Sequence, residues 1–364
     1  MSAYWNRRVR GLSPYVPGEQ PRDRQFIKLN TNENPYPPSP KALEAIAAVL
    51  AEGGGRLRLY PDPACTELRE AVAGRYGVKK EQVFAGNGSD EILAFAFGAF
   101  FEAPALDKDG APPVLFPDIT YSFYPVYAEL WGLLVQTLPL GEDFSINTGA
   151  YKVPAGGVIF PNPNAPTGRA LSPDEIKPLL EYQGKCHRVV VIDEAYAAFG
   201  AESMVPYIDE YPNLLTVHTL SKSASLAGLR AGFAIGNEEL IEGLCRIRDS
   251  FNSYTMDRLA LAGAAAAIRD AAYYEAVNAR VIAARERASA ALRDLGFTVI
   301  PSVANFMFVR PPRMGGAEFF ARLRERGILA RHFNKPRIAD FLRISIGTDE
   351  EMEELLTRCR EILG

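Results

Sequence analysis

Short apolar runs alternate with stretches of helical period through most of the chain. Residues 189–192 (VVVI) form an unbroken apolar run, as a strand covered on both faces requires. Similar runs at 82–85, 114–116, 158–160, 214–220 and 231–236 read as further strands. Between them, helical spacing is seen over 40–51, 66–76, 89–101, 120–131 and 172–182. Ser89 and Ser172 stand where helix N-caps belong, and Asp174 and Glu175 follow in a first turn that favours acids. Regular alternation of strand and helix predicts an α/β fold with a large, doubly wound, mostly parallel sheet.

The pattern changes beyond residue 236. Residues 256–295 are an Ala-rich helical stretch with few breakers. Strands at 297–301, 306–309, 328–330 and 341–346, with helices at 317–326 and 350–363, then predict a smaller α+β domain. Residues 1–40 are rich in proline and poor in periodicity, and read as an arm packed over something else. The expected division is an arm, or part of the small domain, at 1–40, a large domain at 41–255 and a small domain at 256–364. A loop rich in Pro, Asp and Gly covers 104–113. There is no internal repeat.

Composition narrows the function classes. With 364 residues, 48% hydrophobic and a formal charge of −4, the chain offers no strong field to nucleic acid or an anionic membrane. The first twenty residues lack a signal-peptide core, and no apolar run reaches spanning length. Cys65, Cys186, Cys245 and Cys359 are widely separated, and only 3 histidines exist, so neither a disulfide framework nor a zinc site is expected. A reducing cytoplasm fits this usage.

The candidate chemistry centres on residues 214–236 (LLTVHTLSKSASLAGLRAGFAIG), where small residues separate two strands and carry Lys222 and Arg230. A lysine among small hydroxyl residues beside apolar strands is a candidate for a partly desolvated, nucleophilic amine. A guanidinium eight residues later can grip a phosphate through parallel hydrogen bonds. Asp193 ends a strand where ligands lie in open parallel sheets, although an aspartate there also serves as a helix cap. Gly88, Ser89 and Asp90 form a strand–turn–helix connection, which either exposes backbone N–H groups to an anion or simply joins two elements. Tyr121 stands where a strand gives way to a helix and can stack on a flat ligand. Arg343, inside the apolar run FLRISIG, is costly to bury without an anion. An amine, an acid ending a buried strand, the nearby phenol of Tyr196, a stacking aromatic and two phosphate grips are the parts that a pyridoxal phosphate enzyme needs.

The chain resembles the fold-type I aminotransferases and, within them, the histidinol-phosphate aminotransferases. The resemblance runs almost end to end, through LNTNENPY, LYPDP, GNGSDEI, PNPNAPTG, VVVIDEAYAAF, TLSKSASLAGLRAGFAIG, PSVANFMFVR and FLRISIG in that order. It implies a fold-type I transferase that uses pyridoxal 5'-phosphate and exchanges an amino group between histidinol phosphate and 2-oxoglutarate or glutamate. It also implies Lys222 as the lysine bound to the cofactor, Asp193 as partner of the ring nitrogen, Tyr196 on the ring hydroxyl and Tyr121 stacked on the ring. Gly88, Ser89, Asp90, Thr219, Ser221 and Arg230 would surround the phosphate. Tyr60 would reach the cofactor of a second subunit, making the active unit a homodimer. Arg343 and Arg331 would take the substrate's anionic group, with Asn32, Tyr15 and Asn305 near the substrate.

Two departures matter. The asparagine that usually precedes Pro-Thr-Gly is Ala165 here, leaving Asn164 or Asn162 to take its part. Residues 252–257 (NSYTMD) depart from the common Pro-Tyr-Asn-Val-Asn pattern. Rival readings with the same cofactor are a lyase resembling threonine-phosphate decarboxylases and an aromatic amino acid aminotransferase.

Overall fold

The computed structural model describes residues 3–15, 18–21, 25–103 and 111–364, with the side chain of Glu52 left aside, so most of the 104–113 loop lies outside the described residues. The strands are, in chain order, β1 (Ile27–Lys28), β2 (Val83–Gly86), β3 (Val114–Pro117), β4 (Val135–Leu138), β5 (Gly157–Pro161), β6 (Val190–Asp193), β7 (Leu214–Thr219), β8 (Gly232–Gly236), β9 (Thr298–Ile300), β10 (Phe306–Arg310), β11 (Ile328–Leu329), β12 (Arg331–His332) and β13 (Leu342–Ser345). A 7-stranded sheet runs β2-β8-β7-β6-β5-β3-β4, and β8 alone is antiparallel to its neighbours. The mostly parallel sheet expected from the alternation is therefore present.

Both faces of this sheet are covered, with strand residues alternating between two apolar layers. Leu115, Val158, Phe160, Val190, Ile192 and Leu214 belong to one layer. Val114, Phe116, Ile159, Val191, Leu215 and Val217 belong to the other, beneath the helix Ser89–Phe100. This parity decides where the residues just beyond β6 point. Asp193 continues the Val191 side and meets Tyr124, whereas Glu194 turns to the opposite face and meets Met204.

The second sheet is antiparallel, in the order β12-β13-β10-β9. Its core includes Phe306, Val309, Leu342, Ile344, Leu355 and Phe319, under the helices Gly316–Glu325 and Asp349–Leu363. β1 pairs in parallel with β11, and Leu29 just beyond it is buried in the same cluster. Thus the segment 27–32 is tied to the C-terminal strands, two of its bonds being Leu29 N to Leu329 O and Ser345 N to Leu29 O, each 2.9 Å.

Several element boundaries differ from the expectation. The helix after β2 starts at Ser89, with Gly88 in the cap position at φ 83° and no side-chain cap. The 120–131 helix begins only at Tyr124. The 256–295 stretch is two helices, Arg258–Arg269 and Ala271–Asp294, parted at Asp270, whose carboxylate is 2.7 Å from Lys41 Nζ. No helix among the described residues is long and apolar enough to cross a membrane.

Candidate active site

Strand direction brings the candidate residues together. β2, β3, β5, β6 and β7 run the same way, so their C-terminal ends share one edge of the sheet. Gly88–Asp90 follow β2, Tyr121 follows β3, Ala165 follows β5, Asp193–Tyr196 end β6 and Thr219–Lys222 follow β7. β8 enters at this edge, where Gly232 pairs with both Gly86 and Thr219, and so places Arg230 there. A cavity of about 170 Å³ opens at this edge. Its lining includes Lys222, Asp193, Tyr196, Tyr121, Arg230 and Arg343.

Lys222 Nζ donates to the carbonyl of Thr31 at 2.8 Å. Burial, reinforced by the charge of Arg343, pulls its pKa down to about 8. Hence an appreciable share of the amine is neutral near physiological pH. Asp193 accepts from the Tyr124 hydroxyl at 3.0 Å and from Ala195 N at 3.1 Å. Burial pushes its carboxyl up to about 6 despite these bonds. A cation brought against Asp193 would relieve that penalty.

One end of the cavity is lined by Ser89, Asp90, Thr219, Ser221 and Arg230. Arg230 donates to Ser221 Oγ at 3.2 Å and pairs with Asp90 Oδ2 at 3.1 Å, while the Tyr121 hydroxyl donates to Asp90 Oδ1 at 2.7 Å. The backbone here leaves little room for an added side chain. A Cβ on Gly88 would lie 2.7 Å from Arg230 Nη2, and one on Gly232 would lie 2.8 Å from Ser89 N. The turn, the helix start and the guanidinium therefore form a cradle suited to an anion.

Facing this end stand two more guanidiniums. Arg331 and Arg343 are direct cross-strand partners on β12 and β13. Like charges opposite each other are unfavourable unless an anion joins them. Arg343 donates to the Asn30 carbonyl at 3.1 Å, its Nε is buried without a partner, and burial pulls its pKa down. Asn32 and Tyr15 line the same cavity, the latter stacked on Phe123 at 4.3 Å between centroids. Asn305 stands behind this wall, donating to the Asn32 carbonyl at 2.9 Å.

Some candidates do not reach the cavity. Asn164 donates to Ile119 O and Thr167 Oγ1, at 3.0 and 3.1 Å, and Asn162 binds both backbone groups of Leu171. Neither lines the wall; Ala165 does. The peptide bonds before Pro163 and Pro166 are both cis. Tyr60 is 78% exposed, with its ring stacked on Tyr254. Sequence reasoning missed Tyr124 as the partner of Asp193, and within residues 28–34, whose amides and carboxylate read either as a substrate-facing segment or as Asx turns, it missed the parts played by Thr31 and Asn30. Tyr124 had a detectable signal as a tyrosine in the first turn after a strand, but the other two act through backbone oxygen, which any residue carries.

A second cavity, of about 400 Å³, lies on the Glu194 face, lined by His218, Tyr76, Ser223 and Tyr274 among others. It lacks the lysine, the Asp193 carboxylate and the arginine pair. Among the described residues no cluster of His, Cys, Asp or Glu is arranged to hold a metal ion.

The family described as aminotransferase class I and II matches residues 24–359. The chain is 56% identical over 367 aligned residues to histidinol-phosphate aminotransferase 1 of Bordetella parapertussis, and 53% identical to the histidinol-phosphate aminotransferase of Aromatoleum aromaticum, each covering 100% of both chains. The solved histidinol-phosphate aminotransferase of Sinorhizobium meliloti, in complex with pyridoxal-5'-phosphate, has the same fold. It superposes with a TM-score of 0.85 at 24% identity, covering 100% of this chain and 98% of that one.

Proposed function

The chain belongs to the class I and II aminotransferase family, and on that premise we propose that it is a pyridoxal 5'-phosphate-dependent histidinol-phosphate:2-oxoglutarate aminotransferase of histidine biosynthesis. The observation that carries the reading is one cavity holding a depressed lysine amine, a strand-end carboxylate, an anion cradle and a second, paired guanidinium site. The residues fit the cofactor. The Gly88–Asp90 turn, Thr219, Ser221 and Arg230 hold its phosphate, Tyr121 covers the ring, Asp193 takes the protonated ring nitrogen and Tyr196 the ring hydroxyl. Ala165 stands on the wall, while Asn164 keeps a buried Oδ1 without a partner and Asn162 is held by Leu171.

When bound, pyridoxal phosphate supplies an electron-withdrawing ring conjugated to the substrate's amino-bearing carbon. Lys222 would hold the cofactor through its amine. In its free, neutral form it would serve as the base that moves the proton at the substrate's amino-bearing carbon. Its low pKa suits that base role. Asp193 would hold a cationic ring nitrogen by its charge, which would also relieve the cost of burying its carboxylate. Arg331 and Arg343 receive the phosphate of histidinol phosphate in one half-reaction and the distal carboxylate of glutamate in the other, with Asn32, Tyr15 and Asn305 shaping that end.

We further propose a cytoplasmic homodimer in which Tyr60 serves the neighbouring subunit's phosphate site, and the division of the chain at residues 40 and 255. Leu57, Leu59 and Tyr60 are all more than half exposed, as an unpaired contact surface would be. Loss of cofactor retention in Tyr60→Phe, with a dimer mass by sedimentation, is expected.

The deciding experiment is a single half-reaction. The cofactor's visible band should bleach with histidinol phosphate and return with 2-oxoglutarate. No bleaching, or faster bleaching by phenylalanine, would overturn the substrate assignment, as would CO2 release from threonine phosphate.

A further inference from the structure

We propose that Asn32 is a positioning residue for the Tyr196 phenol: it donates a hydrogen bond to the phenolic oxygen and so leaves the phenol's own proton for an acceptor inside the cavity. On the reading above, on which this inference rests, that acceptor is the ring oxygen of the bound cofactor.

The direction of the bond follows from the neighbours of Asn32. Its backbone N–H donates to Ser345 Oγ at 2.8 Å, and its carbonyl accepts from Asn305 Nδ2 at 2.9 Å. Both partners are buried, as is Asn32 itself at 1% exposure. Ser345 has a single hydroxyl proton, and it goes to Asn32 Oδ1 at 3.0 Å. The amide oxygen is thereby occupied, and the amide nitrogen is left facing the Tyr196 hydroxyl at 3.0 Å. Turning the amide over would point two donors at Ser345 Oγ and strand its hydrogen without an acceptor.

A phenol carries one proton. Because its oxygen accepts from Asn32, that proton points elsewhere, and Tyr196 lines the cavity. Ala165 lines it too and brings no hydrogen-bonding side chain. Burial pushes the Tyr196 pKa up, while the charge of Arg343 and the bond from Asn32 pull against that rise. The phenol stays protonated at neutral pH and, polarised by the donor behind it, is a stronger donor in turn. The residue that holds Asn32, Ser345, lies on β13 two positions from Arg343. The strand bearing the proposed substrate arginine thus also sets the orientation of a phenolic proton at the cofactor.

The test titrates the visible absorbance of the lysine-bound cofactor against pH in the wild type, Asn32→Asp, Asn32→Gly and Tyr196→Phe. Asn32 has φ 56°, a left-handed conformation that Asp and Gly both tolerate. In Asn32→Asp an acceptor replaces the donor, and the phenol's proton turns toward it. The band's midpoint should then move in the same direction as in Tyr196→Phe by about one pH unit, the effect of one ordinary hydrogen bond. Asn32→Gly should move it the same way by less, and should read the effect alone if Asp at 32 prevents folding. An Asn32→Asp midpoint matching the wild type beside a shifted Tyr196→Phe would overturn the proposal alone, leaving Asn32 a structural residue. A Tyr196→Phe midpoint matching the wild type would overturn it through the assignment of Tyr196, and absence of any visible band through the cofactor reading.

Discussion

Replacing Arg343 by Gln tests the substrate end of the cavity with a shorter, neutral side chain. Its amide nitrogen stands near the place of Nε, two bonds short of the Nη2 that donates to the Asn30 carbonyl at 3.1 Å. What it lacks is the positive charge and both arms of the fork beyond Nε. Two charge-assisted bonds to a substrate anion contribute about 1.5–3 kcal/mol each. Arg331, directly opposite on β12, retains part of the attraction. The net loss is then about 2–4 kcal/mol, which is about 30- to 1,000-fold in kcat/KM. Stopped-flow half-reactions with histidinol phosphate and with glutamate should both show it. Lys222 would also lose a cation that helps hold its pKa down near 8, so the variant's amine should titrate higher. Less than about a threefold change in both half-reactions would refute the assignment, since no anion would then be meeting this guanidinium.

Three further outcomes are expected. In Gly232→Ala the new Cβ would lie 2.8 Å from both His218 O and Ser89 N, so the phosphate turn must shift. Cofactor affinity should fall at least about tenfold by equilibrium dialysis, and an unchanged affinity would remove the cradle argument. Tyr124→Phe deletes a bond that favours the ionised form of Asp193, so this carboxyl should titrate above its present value of about 6. Weaker cofactor binding on the acid side of neutrality would report it, and superimposable binding-versus-pH curves would refute it. Glu194 is pushed by burial from 4.5 up to about 7. Between those values the native protein holds more protons than the unfolded chain, so this group's contribution falls as pH rises. Relative to Glu194→Gln, wild-type stability in urea should decline by about 3 kcal/mol across that window and stay level above it. A constant difference would show that the carboxyl is not so perturbed.

The strands that carry the site were readable because they are buried on both faces and leave unbroken apolar runs. β4 left no such signal, since Val135, Gln136 and Thr137 are exposed at the sheet edge. The helix Glu238–Phe251 also went unread: its buried stripe, Ile241 and Leu244, is narrow and set among charges. The break at Asp270 involves neither Gly nor Pro, and its carboxylate pairs with the distant Lys41. The strand read at 328–330 is β11, and the sequence did not show that β12, which starts at the next residue, pairs in a different sheet.

Motif order determined the family, the lysine and the strand-end carboxylate, because these are properties of residue type and short-range spacing. Only the tertiary structure decided which neighbours act on them. Nothing near position 193 in the chain indicates that Tyr124 binds its carboxylate across 69 residues. Nor does PNPNAPTG reveal that its asparagines bond Leu171 and Ile119 and leave Ala165 on the wall. In sequence, Asn32 reads either as substrate-facing or as part of an Asx turn, and its orientation depends on Ser345, 313 residues away. The physical reason is the same in each case. A chemical group is encoded locally, but its hydrogen-bond direction and its pKa are set by partners and burial that exist only once distant segments have packed.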